Sequence, residues 1–153
     1  MLLPVHEFAQ VIDRTPLVSL DLLVENAQGE FLLGLRTNRP AQGFWFVPGG
    51  RVRKGETLAQ AFERLTLAEL GQAFSLQDAA HQGLFEHFYS DNVFADDPAY
   101  AHISTHYVVN AFKLKLNADY VLPLQQHSAW RWCTPEQLLH DPQVHEHTKW
   151  YFQ

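Results

Sequence analysis

Apolar and polar residues alternate with two periods along the chain, and the period separates the predicted strands from the predicted helices. Residues 17–25 (LVSLDLLVE) and 30–37 (EFLLGLRT) are typical of strands, and the turn at 26–29 predicts that they form a hairpin. A shorter strand is predicted at 44–48, where Pro48 ends it. Further strands are predicted at 83–90, 104–116 and 129–134.

Helical spacing of apolar residues predicts one main helix that begins after Thr57 and ends before Gly71. The residues of this helix that we expect to face the core are Leu58, Ala61, Phe62, Leu65 and Ala68. Shorter helices are predicted at 6–13, 134–139 and 143–152. Because the hairpins are antiparallel and strands precede each main helical region, we expect an α/β fold. Its predicted form is an α/β/α sandwich with a mixed sheet, built as one domain over residues 1–153.

The composition narrows the class of protein. The 153 residues are 46% hydrophobic and carry a formal net charge of −6, which favours a folded domain and argues against nucleic-acid binding. No apolar run is long enough for a membrane span, and the N-terminus lacks the pattern of a signal peptide. We therefore expect a cytoplasmic protein that has no membrane partner. The single cysteine, Cys133, is expected to be a packed thiol and not a nucleophile.

Arginine is concentrated in one part of this acidic chain. Five of the seven arginines lie between residues 36 and 64. Guanidinium groups bind phosphates and carboxylates through paired hydrogen bonds, so the cluster predicts an anion-binding region. The alternative is a solvated surface loop.

The most informative motif runs from residue 49 to residue 71, GGRVRKGETLAQAFERLTLAELG. It resembles the Nudix box, G-x5-E-x7-R-E-U-x-E-E-x-G-U with U an aliphatic residue, which is a pyrophosphate–metal motif. The residues found at their required offsets are Gly50, Glu56, Arg64, Glu69 and Gly71. The residues that differ are Leu65 and Ala68, which replace glutamates, and Gln72 at the final position. The alternative is an ordinary amphipathic helix after a glycine turn.

The loss of two acidic side chains changes the expected chemistry. With Glu69 as the acid that remains near the end of the box helix, we expect one Mg²⁺ instead of several. One ion suits a diphosphate that departs as a leaving group, which directs attack to carbon instead of phosphorus. In a nucleotide sugar, water would then attack the anomeric carbon through an oxocarbenium-like transition state.

Segments outside the box narrow the resemblance from the whole Nudix family to one of its branches. The chain is similar to the GDP-mannose mannosyl hydrolases, a divergent branch of the Nudix hydrolases, from about Phe8 through the last strand. The similarity rests on TPLVSLD, GEFLLGLRTNRPAQGFWFVPGGRV, AFERLTLAELG, EHFYSDN, THYVV and LPLQQH. It implies hydrolysis of a GDP-sugar, GDP-mannose or GDP-glucose, at the sugar C1–O bond with inversion, giving GDP and free hexose. It also implies one divalent ion, Mg²⁺ with Mn²⁺ as a substitute, and a homodimer.

Carried over position by position, the resemblance implies three groups of site residues. Those implied to bind Mg²⁺ are Gly50 (through its carbonyl), Glu69 and Gln126. Those implied to act in catalysis are His127 as general base, Asp21 beside the sugar C1, and Arg36 and Tyr107 at the leaving group. Those implied to contact the substrate are Arg51 and Arg64, on the diphosphate, and His87, in the sugar pocket.

Structural roles compete with these assignments. An arginine on a helix pairs readily with a nearby acid, and for Arg64 the candidates are Glu63 and Asp78. A tyrosine that alternates within a strand can simply pack, which is the alternative for Tyr107. Glu56 is expected to hold the loop to the helix.

Other functions remain open at this point. One is a Nudix pyrophosphatase that cleaves the P–O bond of a nucleotide sugar, and another is a non-catalytic module that binds a nucleotide sugar. A zinc site at the C-terminal histidines, His140, His145 and His147, is the least favoured alternative, because a His-x-His pair on a helix departs from the usual i, i+4 spacing.

Overall fold

The computed structural model of the chain describes residues 2–118, 121–122 and 129–153. Its helices are α1 (Val5–Arg14), α2 (Leu58–Leu70), α3 (Pro135–His140) and α4 (Glu146–Lys149). Its strands are β1 (Leu17–Glu25), β2 (Phe31–Leu35), β3 (Trp45–Phe46), β4 (Gly49–Arg51), β5 (Ala79–Tyr89), β6 (Thr105–Lys115) and β7 (Trp130–Cys133). Two 3₁₀ turns follow α2 and α4, at Leu76–Asp78 and Trp150–Phe152. None of the described helices has the length and apolar character that crossing a membrane requires.

The described strands form a mixed sheet in which β1 is central. Strand β1 pairs in parallel with β6 along its whole length, and β6 pairs antiparallel with β5. On its other side, β1 pairs antiparallel with β4 at Ser19–Asp21 and with β2 at Glu25. Strand β2 continues the sheet through β3 and β7. The mixed sheet that the hairpin pattern predicts is therefore confirmed.

Alternate residues of β1 face two different hydrophobic layers. Leu20 and Leu22 pack on one side with Phe62 of α2, whereas Leu23 packs on the other side with Leu138 of α3. This alternation follows from the two-residue period of a strand that is covered on both faces. The predicted α/β/α sandwich is confirmed.

Helix α2 has the boundaries that its caps predict. Thr57 and Gln60 form a reciprocal capping box, and Gly71 ends the helix with a φ of 78°. Its buried face is rotated from the predicted one. The predicted core residues Leu58 and Ala68 are exposed, while the buried residues of the helix are Ala61, Phe62, Leu65, Thr66 and Leu70. Thr66 can be buried because its hydroxyl donates to the Glu63 carbonyl (3.0 Å) and accepts from the Phe74 amide (2.8 Å).

The short strand β4 carries the glycine pair and escapes prediction, because three residues are too few for a periodic pattern. It lies so close to β1 that a Cβ atom at Gly49 would lie 2.5 Å from Asp21 Oδ1 and against the Leu20 carbonyl oxygen. A Cβ atom at Gly50 would lie 2.5 Å from Leu65 Cδ2. The glycine pair therefore allows β4 to lie between β1 and α2.

The chain end does not form the single helix predicted over 143–152. Helix α4 is short and the 3₁₀ turn continues from it. Two hydrogen bonds hold this segment against β3 and the residue that follows it. The Trp45 amide donates to the Gln143 carbonyl (2.8 Å), and the Val47 amide donates to Thr148 Oγ1 (3.2 Å). We call residues 143–152 the C-terminal segment below.

We predict that Gly49→Ala destabilises the protein by about 1–3 kcal/mol, because the added methyl group would collide with the β1 backbone and with Asp21. Gly50→Ala is the matched control and should cost less, since the obstacle there is the end of one side chain. Urea unfolding measures both free energies. A Gly49→Ala variant as stable as the parent protein would contradict the close approach of β4 and β1.

Candidate active site

A cavity of about 90 Å³ beside β1 brings together six of the residues singled out in the sequence. They are Asp21, Arg36, Gly50, Arg51, His87 and Tyr107. The sheet explains this convergence, because β4, β1, β6 and β5 lie side by side and each contributes to the cavity wall. We call this space the small cavity.

A second cavity, of about 260 Å³, adjoins the small one and contains Glu69 in its wall. The two share four lining residues, Arg36, Phe46, Val47 and Gly49. Arg36 therefore faces both spaces. We call the second space the large cavity, and we call the two spaces together the cleft.

Asp21 is the acidic group of the small cavity and is only 8% exposed. Tyr151, in the C-terminal segment, donates its hydroxyl hydrogen to Asp21 Oδ2. Burial raises the pKa of the Asp21 carboxyl to about 7, and the opposing effects of the Tyr151 hydrogen bond and the Arg36 charge only partly offset it. Asp21 thus changes its charge near neutral pH, as groups at reactive sites often do.

His87 is buried and electrically neutral at physiological pH. Burial lowers its pKa to about 3, helped by the nearby His147 and His145. Its ring is stacked on His147, with 4.3 Å between centroids and an interplanar angle of 14°. His87 therefore offers hydrogen-bonding nitrogens to the cavity without a positive charge.

Two tyrosines complete the polar lining of the small cavity. Burial raises the pKa of both Tyr89 and Tyr107, so each keeps its phenolic proton. They lie on neighbouring strands, with their rings edge to face at 6.1 Å. Tyr107 therefore lies in the cavity wall with its phenolic proton retained, and the role at the leaving group that the resemblance implies stays a prediction.

Arg51 lies at the end of β4 with its guanidinium group over the ring of Phe8, 4.4 Å from the centroid. This contact between a cation and an aromatic face joins helix α1 to the cavity wall. Arg36 is held differently, since its Nε donates to the Pro40 carbonyl (2.9 Å) within the loop that follows β2. Arg39 in the same loop pairs with Asp91 and Asp96, each at 3.2 Å. Both cavity arginines are thus anchored before any ligand binds.

Arg64 joins helix α2 to the loop before it through hydrogen bonds. It donates to both Glu56 carboxylate oxygens, at 2.7 and 2.9 Å, and to the Arg51 carbonyl at 2.9 Å. Glu56 also accepts from the Arg53 amide at 2.7 Å, and these bonds lower its pKa to about 2. The expectation that Glu56 holds the loop to the helix is confirmed, and the acid that pairs with Arg64 is Glu56, not Glu63 or Asp78. Arg64 lines neither cavity.

The box position that Leu65 occupies is part of the core. Leu65 is 4% exposed and packs directly on Gly50. A glutamate there would need to be desolvated beside Gly50, whereas leucine joins helix and strand by apolar contact. Ala68, at the other altered position, is exposed and carries no ligand atom.

The remaining donors suit a hard divalent cation. Glu69 lies one helical turn after Leu65 and lines the large cavity, while Gly50 lies under Leu65 and lines the small one. Carboxylate and carbonyl oxygens are ligands that Mg²⁺ prefers, and this ion commonly keeps several waters. Among the described residues, no group of three His, Cys, Asp or Glu side chains could hold a metal ion. The oxygen donors at these two positions are therefore of the chemical kind that a divalent ion binds.

The remaining sequence expectations have different outcomes. Gln126 and His127 lie outside the described residues, so their roles stay predictions. The zinc alternative at the C-terminal histidines gains no support, since His147 packs on His87 and the described residues offer no three-ligand metal group. Cys133 is a buried free thiol, as predicted.

Two neighbours of Asp21 are absent from the sequence-based site. Tyr151 comes from the C-terminal segment and Tyr89 from β5. Tyr89 lies in the segment EHFYSDN that carries part of the resemblance, but no role was assigned to it there, and no motif or spacing marks Tyr151. The one available signal was Asp21 itself, since a carboxylate within an apolar strand requires a partner.

The fold and the arginine-rich cleft place the protein in a known class. The family model for the NUDIX domain matches residues 15–153, so the chain belongs to this family of hydrolases. Nudix hydrolases generally use a divalent metal ion and bind nucleotide-containing substrates.

Individual relatives agree with this assignment. The low-salt glycan biosynthesis protein Agl8 of Haloferax volcanii is 40% identical over 127 residues, which cover 82% of this chain and 76% of that protein. The crystal structure of the MutT Nudix hydrolase from Burkholderia pseudomallei has a TM-score of 0.68 at 22% identity, covering 91% of this chain and 97% of that one. The MutT protein of Methanosarcina mazei has a TM-score of 0.66 at 22% identity, covering 91% and 92%. The two structures show the shared fold.

We predict that Asp21→Asn stabilises the protein more at pH 8 than at pH 5. The folded-state pKa of about 7 lies above the ordinary 3.8, so the contribution of Asp21 to stability is full below pH 3.8 and is lost as the pH rises through about 7. An uncharged amide suffers no such loss. The difference in Tm between the variant and the parent should widen by roughly 5 °C between pH 5 and pH 8.

Thermal unfolding at both pH values measures this difference. Asp13→Asn is the matched control, because Asp13 lies on the exposed side of α1. If the Tm difference for Asp21→Asn is the same at the two pH values, burial does not govern the ionisation of Asp21.

Proposed function

We propose that the protein hydrolyses a GDP-sugar, GDP-mannose or GDP-glucose, at the sugar C1–O bond with inversion, and releases GDP and free hexose. The observation that carries the proposal is the composition of the small cavity. A buried carboxylate, Asp21, faces two anchored arginines, Arg36 and Arg51, across a space lined by uncharged hydrogen-bonding groups. This arrangement suits a reaction that develops positive charge at one end of a bond and negative charge at the other.

The charges of the cavity match the two ends of the scissile bond. Arg36 and Arg51 are suited to the diphosphate, whose negative charge grows as the C1–O bond breaks. Asp21, when ionised, stabilises the positive charge that grows at C1. The neutral side chains of His87 and Tyr107 are suited to sugar hydroxyls and to the bridging oxygen, since they add hydrogen bonds without a competing charge.

The proposed reaction is a single displacement. The oxygen of a water molecule forms a bond to C1, and the bond between C1 and the β-phosphate oxygen breaks with its electron pair on the diphosphate. His127, in this proposal, takes the proton that the attacking water loses. Attack opposite the leaving group inverts the configuration at C1.

A divalent ion fits the donors present, and we propose Mg²⁺, with Mn²⁺ as a substitute. The residues that would hold it are Gly50 through its carbonyl, Glu69 and Gln126. When bound, the ion would neutralise charge on the departing diphosphate. In the proposal, Arg64 contributes to diphosphate binding by holding the Arg51 loop through Glu56 and the Arg51 carbonyl.

Two further observations favour carbon over phosphorus as the point of attack. The burial of Leu65 leaves no acid where the box usually carries one, and Ala68 offers none either, so the box helix has few ligands for the several ions that activate water at phosphorus. The name of the Haloferax volcanii relative refers to glycan biosynthesis, which is compatible with a nucleotide-sugar substrate.

We predict that hydrolysis of GDP-mannose with Mg²⁺ in ¹⁸O-labelled water places the label in the hexose and leaves the GDP unlabelled. The reason is that water attacks C1, so its oxygen becomes the new sugar hydroxyl. Mass spectrometry of the products measures the label, and proton NMR of the first-formed hexose gives its anomeric configuration. GDP-glucose is the parallel substrate.

Each alternative function has its own outcome in this experiment. Label in a phosphate product, with GMP and hexose phosphate formed, would establish P–O cleavage. Binding of GDP-mannose without turnover would establish a non-catalytic module. A homodimer remains a prediction that sedimentation of the same preparation tests.

We predict that His127→Gln lowers kcat on the order of 10²-fold, because the amide cannot accept the proton from the attacking water. His102→Gln, in an exposed loop, is the matched control and should retain the parent rate. The pH dependence of kcat in the parent protein reports the ionisation of the general base. A rate that does not change between about pH 6 and pH 9 would remove a histidine base from the mechanism.

A further inference from the structure

Tyr151 is a half-buried tyrosine to which the box and the resemblance assign no role. Its hydroxyl donates to Asp21 Oδ2, although the two residues are 130 positions apart in the chain. Tyr151 does not line the small cavity, so any effect that it has on the site passes through side chains that it contacts, of which Asp21 is one. The contact therefore connects the C-terminal segment to the acidic group of the site.

The position of the Tyr151 hydroxyl is set by packing that is independent of Asp21. The Tyr151 ring meets Phe85 edge to face, with 4.7 Å between centroids and an interplanar angle of 90°. The next residue, Phe152, packs on Phe31 of β2 at 4.8 Å. Upstream, Thr148 accepts a hydrogen bond from the Val47 amide at 3.2 Å. The hydroxyl is thus held in place before it donates to the carboxylate.

The two oxygens of Asp21 are positioned from opposite sides. Oδ1 lies over Gly49, where an added Cβ atom would approach to 2.5 Å, and Oδ2 accepts from Tyr151. The terminal torsion of an aspartate has a broad energy minimum, so a bare carboxylate can rotate. The Tyr151 hydroxyl at Oδ2 and the Gly49 backbone at Oδ1 restrict that rotation.

His87 is also contacted by side chains of the C-terminal segment. Its Nε2 atom lies 3.4 Å from the Tyr151 hydroxyl oxygen, and its ring is stacked on His147. Because the single hydroxyl proton of Tyr151 is donated to Asp21, a hydrogen bond in this longer contact requires the His87 tautomer that carries its proton on Nε2. The C-terminal segment therefore supports two side chains of the small cavity from behind.

We propose that Tyr151 is a positioning residue that fixes the Asp21 carboxylate in the small cavity and affects turnover through that carboxylate. The proposal rests on the proposed function, because it takes Asp21 to face the sugar C1. The C-terminal segment is then part of the catalytic apparatus, although it contributes no group that touches the substrate.

A double-mutant cycle tests this role. The parent protein, Tyr151→Phe, Asp21→Asn and the double variant are compared with GDP-mannose and Mg²⁺. Tyr151→Phe keeps the ring and its packing on Phe85 but removes the donor. It should lower kcat on the order of 10-fold or more, with KM changed by less than about 2-fold. In the Asp21→Asn background the same change should alter kcat by less than about 3-fold.

The control is Tyr100→Phe, since Tyr100 is also half-buried but packs near Phe94, outside both cavities. It should leave kcat and KM unchanged. An unchanged kcat for Tyr151→Phe would overturn the proposal. So would a loss of the same size in both backgrounds, because Tyr151 would then act independently of Asp21.

A second readout does not depend on the substrate. The same four proteins are melted at pH 8, where the Asp21 carboxyl is largely ionised. Tyr151→Phe should lower Tm by several degrees in the parent and by less in the Asp21→Asn background, because a carboxylate accepts a stronger hydrogen bond than an amide does. Equal losses would contradict the proposed link. A parent protein that does not release GDP from GDP-mannose would refute the proposed function, and this Tm cycle would still decide the role of Tyr151.

Discussion

The close contact between β4 and β1 is the constraint on which the rest of this structure depends. Gly49 lies against the Leu20 carbonyl and the Asp21 carboxylate, and Gly50 lies against Leu65. A larger residue at Gly49 would collide with β1, so the close approach of the two strands, and with it the position of Arg51 at the end of β4, requires glycine here. The glycine pair therefore brings an arginine, a buried acid and the packed face of α2 within one small volume.

This packing explains how the box can lose acidic residues and keep its shape. Glu56 and Arg64 maintain the loop by hydrogen bonds, and Leu65 maintains the helix by apolar contact with Gly50. The scaffold and the metal ligands of a Nudix box are therefore separable. Here the scaffold is intact, while Glu69 is the acid of the box that lines the cleft.

The electrostatics of the cleft arise from burial more than from the number of charges. Burial raises the pKa of Asp21 to about 7, lowers that of His87 to about 3 and raises that of Tyr107. These shifts leave uncharged groups around a titrating acid, with Arg36 and Arg51 as the anchored cations. A low-dielectric space of this kind strengthens every remaining charge interaction with a ligand.

The sequence by itself determined the α/β class, the ends of α2 and the cluster of residues around the box. These features depend on local periods, caps and spacing, which neighbouring residues encode. Strand β4, the rotated face of α2 and the contact between Tyr151 and Asp21 depended on tertiary structure. A three-residue strand has no readable period, and a buried threonine becomes acceptable only when Phe74 supplies its partner. Tyr151 meets Asp21 only because the C-terminal segment folds back onto β3, so no spacing in the sequence records that contact.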